Sequence, residues 1–208
     1  MFKKKKLIIF DLDGVLIDSV DNMRIALKKT SLLLNIKLDF EVYKKHLGLP
    51  FKKIIQKMGI KNDIDKIKSN YSFFSKKNLS KIKIKKKHLS ELNYLKKNYK
   101  FAVFTSKDKS RTRVILKKYK FFKYVVTSDD VIKGKPHPEG LIKILNKKNN
   151  KKKEVIYIGD SIYDYKAAKR LGIKYLHAKW GYEKNLKNKI NINEISSFLE
   201  IEKYIWWI

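Results

Sequence analysis

At 208 residues, with 43% hydrophobic residues and no cysteine, the chain suits one domain, or a core domain with a smaller insertion, and excludes both a disulfide framework and a thiolate metal site. A formal net charge of +31 could serve a nucleic-acid or anionic-membrane partner, yet nearly all of it is lysine in short runs such as Lys85 to Lys87, beside abundant Ile and Asn, three residue types with A- and T-rich codons. The bias therefore reads as composition: no specific nucleic acid and no membrane are expected, and because the apolar stretch behind Lys3 to Lys6 stops at Asp11, too short for a signal core or a span, a soluble cytoplasmic protein is expected.

The first predicted element is a strand at Leu7 to Phe10, apolar throughout and so buried on both faces. It ends in Asp11 and Asp13, in a turn opened by Gly14. Two neighbouring buried carboxylates demand a cation, a proton or a cationic side chain in compensation. Asp18 or Ser19 can cap a helix running through Met23, Ala26 and Leu27 to about Leu34. Helical pieces follow at Tyr43 to Leu47, Ile54 to Met58 and Ile64 to Phe74, broken at Gly48 and Pro50. No strand interrupts them, so residues 20–84 read as a helical insertion.

Beyond the insertion, His88 to Lys97 reads as a helix and Phe101 to Phe104 as a second strand, ending in Thr105 and Ser106. Lys109 to Tyr119 is helical, and Tyr124 to Thr127 a third strand. Gly134 to Pro138 forms a rigid turn carrying Lys135, ahead of a helix at Glu139 to Leu145. Val155 to Ile158 is a fourth strand, followed by Asp160 and a helix at Ile162 to Leu171 that Gly172 closes. Ile173 to Leu176 is a short fifth strand, and Glu194 to Ile205 is expected to be a final helix. Strands alternating with helices predict an α/β fold, a Rossmann-like parallel sheet with helices on both faces.

In such sheets ligands bind beyond the carboxyl ends of the strands. That rule gathers Asp11, Asp13, Thr105, Ser106, Lys135, Asp160 and Asp164 into one expected site. Oxygen ligands without sulfur favour Mg²⁺, which keeps several waters and takes a phosphate as a further ligand. A carboxylate can attack phosphorus, a second acid two residues away can move the proton, and Lys135 and Thr105 can hold the phosphoryl oxygens. The strong positive field also favours phosphorylated substrates.

The stretches FDLDGVLIDS, FAVFTS, GKPHPE and IGDSIYD resemble the four motifs of the haloacid dehalogenase superfamily, in order and over nearly the whole chain. The resemblance implies Asp11 as nucleophile and Asp13 as general acid and base. It implies Mg²⁺ on the Asp11 carboxylate, the Asp13 carbonyl and the Asp160 carboxylate, with Asp164 binding through water or orienting Lys135. Residues 20–84 resemble the family's mobile helical cap domain, leaving 1–19 and 85–208 as the core, and Gly48 and Pro50 fall where the cap's substrate-facing loop is expected. An aspartate at position 13, where related dehalogenases carry an aromatic hydroxyl residue and P-type ATPases a threonine, implies phosphate-ester hydrolysis. GKPHPE with the later Trp180, Gly181 and Tyr182 resembles the phosphoglycolate phosphatase group, which makes a small phosphorylated metabolite the expected substrate.

The nearest rival is a phosphomutase of the same fold, but Met23 stands where those relatives usually carry a histidine. A non-enzymatic receiver module also clusters acids, a hydroxyl and a lysine, but lacks the second acid and the insertion. A basic nucleic-acid-binding protein is the third. Several polar residues have simpler expected roles: His137 shapes the Lys135 turn, His46, His88 and His177 lie at the surface or partly packed, Asp108 caps a helix, and Asp129 and Asp130 open one. Tyr71, Phe73 and Phe74 are expected in the core of the insertion, and Trp206 and Trp207 against the main core.

Overall fold

A computed structural model of the chain describes residues 6–79, 82–188 and 190–205. Leu7–Phe10 forms β1, every residue of it buried, at the centre of a sheet completed by β2 (Lys100–Phe104), β3 (Phe122–Val126), β4 (Val155–Gly159), β5 (Lys174–Ala178) and β6 (Glu194–Ile195). The strand order is β3-β2-β1-β4-β5-β6, and every neighbouring pair is parallel. Parallel strands need crossovers, and helices supply them on both faces. With period-two alternation, Ile8, Phe10, Val103 and Ile158 face α5 (Lys86–Leu95) and α6 (Lys109–Leu116), whereas Leu7, Ile9, Phe104 and Tyr157 face α7 (Glu139–Lys148) and α8 (Ile162–Leu171).

Phe10 anchors the first layer. Its ring meets Phe101, Phe122 and Phe198 edge-on at centroid distances of 5.2, 5.9 and 5.3 Å. Truncating a ring so enclosed costs about 3–5 kcal/mol.

Between β1 and α5 the chain builds four helices: α1 (Val20–Leu34), α2 (Phe40–Lys44), α3 (Phe51–Lys57) and α4 (Ile64–Lys76). They close on a core of their own, in which Met23, Leu27, Tyr43, Phe51, Ile55 and Tyr71 are buried. The two chain segments that lead into and out of this unit meet at an antiparallel bridge between Ile17 and Ile84.

The C-terminal expectation fails. Instead of one helix over Glu194 to Ile205, Glu194–Ile195 joins the sheet as β6, Phe198–Ile201 is a 3-10 turn, and only Glu202–Ile205 (α9) is α-helical. The physical reason is local. Ser197 accepts from the Leu199 N–H, and the buried Glu91 carboxylate accepts from Ser197 Oγ at 2.9 Å and the Phe198 N–H at 3.1 Å, which stops a helix from passing through.

Smaller differences are of similar kind. β3 begins at Phe122, two residues early, because Phe121 and Phe122 belong to the aromatic layer. α6 ends at Leu116 rather than Tyr119, whose hydroxyl accepts from the Ile84 N–H. β5 runs to Ala178 because the sixth strand extends its ladder. His88 and His177 are buried rather than at the surface, and Phe73 is exposed while Tyr71 lies in the core of the helical unit. Trp206 and Trp207 lie outside the described residues. No helix among the described residues is long and apolar enough to cross a membrane.

Candidate active site

The carboxyl ends of β1, β2 and β4, with the loop after β3, converge below the helical unit. Asp11 leaves β1 with its N–H donating to Ile158 O at 2.8 Å, the last hydrogen bond of the ladder, so its side chain is delivered where the sheet stops. Lys135, on the loop after β3, is fully buried between two acids, its Nζ 2.7 Å from Asp11 Oδ1 and 2.7 Å from Asp164 Oδ1. Aromatic faces bound it as well, Phe104 at 5.0 Å and Tyr157 at 5.7 Å from the ammonium.

Asp164 is fixed on every side. Tyr157 Oη and Ser161 Oγ each donate to it at 2.5 Å and the Ser161 N–H at 3.2 Å, the last two closing a capping box at the start of α8. Asp160 accepts the Tyr182 N–H at 2.7 Å. The loop carrying Tyr182 is sewn to the acidic turn, with Trp180 Nε1 donating to Val15 O at 2.9 Å and the Ser19 N–H donating to the Tyr182 hydroxyl at 2.9 Å.

One carboxylate oxygen each of Asp11, Asp160 and Asp164 lies within 4.8 Å of the others. Three buried acids share a single lysine. Burial pushes the Asp11 carboxyl up to about 7, against the pull of Lys135 and with the charge of Asp164 adding to the rise. Asp160 is pushed well above the carboxylate range by burial and then by the charges of Asp11 and Asp164. Burial opposes the Lys135 ammonium, but the two carboxylates beside it hold its affinity for the proton above normal.

This excess of negative charge is what a cation would relieve, and the donors are all hard oxygens in a chain without cysteine. Space has been kept for them. A Cβ on Gly14, which sits at φ +84°, would lie 2.0 Å from Asp160 Oδ2, and one on Gly181 2.1 Å from Asp160 Cβ. The residues fit a divalent metal ion.

Above the acids a cavity of about 470 Å³ runs up into the helical unit. Asp11, Asp13, Thr105, Ser106, Asp160 and Gly48 line it, whereas Lys135 and Asp164 lie behind Asp11 and do not. Pro50 does not line it either; its ring faces Gly134, where a Cβ would come within 2.6 Å of Pro50 Cγ. Gly48 O instead accepts from Ser106 Oγ at 2.6 Å, tying the helical unit to the β2 turn. The Thr105 hydroxyl accepts the Lys107 N–H at 3.1 Å. Asp13 points away from the other acids, accepting from Ser19 Oγ and pairing with Lys107 Nζ at 3.1 Å.

Sequence reasoning missed Lys107, buried and directly after Ser106, because the motif was read only as far as its hydroxyls. It also missed Arg111, Tyr43 and Tyr71, which line the upper cavity. The expected roles of several other polar residues correspond to contacts: Asp108 caps α6 through the Arg111 N–H at 2.8 Å, Asp130 closes a capping box with Thr127, and His137 Nδ1 accepts the Glu139 N–H within its turn.

Residues 8–178 match the haloacid dehalogenase-like hydrolase family. The phosphoglycolate phosphatase of Aquifex aeolicus is 30% identical over 189 residues, 86% of this chain and 87% of that protein. The pyrophosphatase PpaX of Bacillus mycoides is 36% identical over 88 residues, 41% of either chain. In fold, a hydrolase from Pseudomonas syringae superposes with a TM-score of 0.84 at 24% identity, covering 98% of this chain and 99% of that one.

Proposed function

The chain belongs to the haloacid dehalogenase-like hydrolase family, within which it is a phosphatase, and from this we propose that it hydrolyses a small phosphate monoester, phosphoglycolate or a sugar phosphate, with Mg²⁺ and through an aspartyl phosphate on Asp11. The observation that carries the reading is the placement of Asp11. Its carboxylate is buried, aimed into a cavity of small-molecule size, and held from behind by the Lys135 ammonium at 2.7 Å.

An Asp11 oxygen attacks phosphorus as the ester P–O bond breaks, and the Asp13 carboxylic acid gives its proton to the departing alcohol oxygen. Asp13, now a carboxylate, takes a proton from water. That water oxygen attacks phosphorus, the bond to Asp11 breaks, and inorganic phosphate leaves with Asp11 restored. Ser19 and Lys107 hold Asp13 in place for both transfers, and the Thr105 hydroxyl and Lys135 meet the charge on the transferring group. Asp11, Asp160 and the Asp13 carbonyl, with Asp164 beside them, would hold Mg²⁺, whose chemistry when bound is neutralisation of phosphoryl charge. The helices of residues 20–84 act as the cap that keeps bulk water from the acyl phosphate, and Gly48 reaches the substrate.

Phosphate release from a panel of esters, with Mg²⁺ or with EDTA, tests this directly. Metal-dependent release from the native protein that disappears in Asp11→Asn is the expected result. Release that survives the substitution would overturn the assignment.

A further inference from the structure

Only four of the 51 basic residues in this chain are arginine: Arg24, Arg111, Arg113 and Arg170. Three of them are exposed; Arg111 is 5% exposed and lines the cavity above Asp11 and Asp13. In a chain that uses lysine almost everywhere, a buried arginine marks a place where a planar, fixed donor set is needed. Its orientation is set from behind. Nε donates to Asp108 Oδ2 at 2.6 Å and Nη1 to Ser75 Oγ at 3.3 Å, while Tyr71 offers its ring face at 5.0 Å.

Those partners are themselves held. Asp108 caps α6 and accepts from Ser72 Oγ at 3.1 Å and Ser110 Oγ at 2.8 Å, and Ser75 exchanges hydrogen bonds with Asn22. Among the described residues nothing accepts a hydrogen bond from Nη2. Lys107, also buried, lines the same cavity beside Asp13.

Resting on the phosphatase reading, we propose that Arg111 is a specificity-determining residue that binds a second negatively charged group of the substrate, a carboxylate or a second phosphate, at the end of the cavity away from Asp11. The chemistry is that of a charge-assisted donor fixed before the ligand arrives, in a cavity of about 470 Å³. Tyr43, whose hydroxyl donates to that of Tyr71 at 3.4 Å, lies in the same wall and offers a further polar contact.

The test compares kcat/KM for three compounds: 2-phosphoglycolate, pyrophosphate and ethyl phosphate, whose tail is neutral. The native enzyme should prefer one of the two compounds that carry a second anionic group to ethyl phosphate by about tenfold to a hundredfold, the worth of one charge-assisted hydrogen bond, and which of the two wins identifies that group. Arg111→Gln should remove that preference, the loss in kcat/KM falling chiefly on the compound with the second anionic group; Arg111→Lys, which leaves Asp108 paired, should keep part of it and serves if the glutamine variant does not fold. Calorimetric titration of the same compounds into Asp11→Asn reads the preference without turnover, so a failed phosphatase reading is distinguished from a failed anion reading. Equal preference in native and Arg111 variants, or a loss that falls equally on all three compounds, would overturn the proposal.

Discussion

Replacing Lys135 with methionine tests the electrostatic architecture of the site. The side chain is similar in length, fully buried, and supplies the one ammonium between Asp11 and Asp164, 2.7 Å from each. Breaking a buried ion pair by removing one partner costs about 3–5 kcal/mol, because the remaining charge stays without compensation. The size of the loss should depend on pH.

Burial holds the Asp11 carboxyl up at about 7, above the ordinary aspartate value of about 3.9, so in the native protein it disfavours the folded state increasingly as pH rises between these values and no further above 7. Without Lys135 its folded pKa rises further, and the penalty keeps growing above 7. Below about pH 7 the variant therefore shows the loss of packing and of the Asp164 pair, and above it the deficit widens by about 1.4 kcal/mol per pH unit until the new pKa is reached. Urea denaturation of both proteins in EDTA, from pH 6 to pH 8.5, measures the difference. A deficit under about 1 kcal/mol, or one that stays flat across this range, would refute the reasoning.

Other substitutions probe separate parts of the molecule. Gly14→Ala would put a Cβ 2.0 Å from Asp160 Oδ2 at a φ of +84°, so turnover should need far more Mg²⁺ than in the native enzyme, as a metal titration of activity would show. Glu91→Ala removes the acceptor for Ser197 and Phe198 and should cost about 1–3 kcal/mol in urea denaturation, the penalty of leaving buried donors unsatisfied, with kcat unchanged. Ser106→Ala deletes the bond to Gly48 O; it should raise KM several-fold in steady-state kinetics with little loss of stability, about 1 kcal/mol at most.

The sheet was legible because each buried strand is an unbroken apolar run closed by a polar turn, and the acids at those turns announced where the site lies. The order of β6 was not. Its two residues carry no periodic signal, and the segment that follows becomes a 3-10 turn only because Glu91, more than a hundred positions away, accepts its donors. Lys107 and Arg111 were hidden for a different reason. In a chain so rich in lysine, one more basic residue is uninformative until burial separates it from the rest, as the 5% exposure of Arg111 does. The upper wall made by Tyr43 and Tyr71 likewise reads as plain helical core until the cavity beneath it is seen.

The central claim is that phosphorus becomes bonded to Asp11. Acid quenching of Asp13→Asn during reaction with a labelled aryl phosphate, whose phenolate departs without a proton from Asp13, followed by peptide mass mapping, observes this bond, since the variant lacks the base that would activate the releasing water. The account predicts a phosphorylated peptide spanning β1 with the label on Asp11. Labelled phosphate appearing in solution from a turning-over enzyme whose Asp11 peptide never carries the label would contradict it.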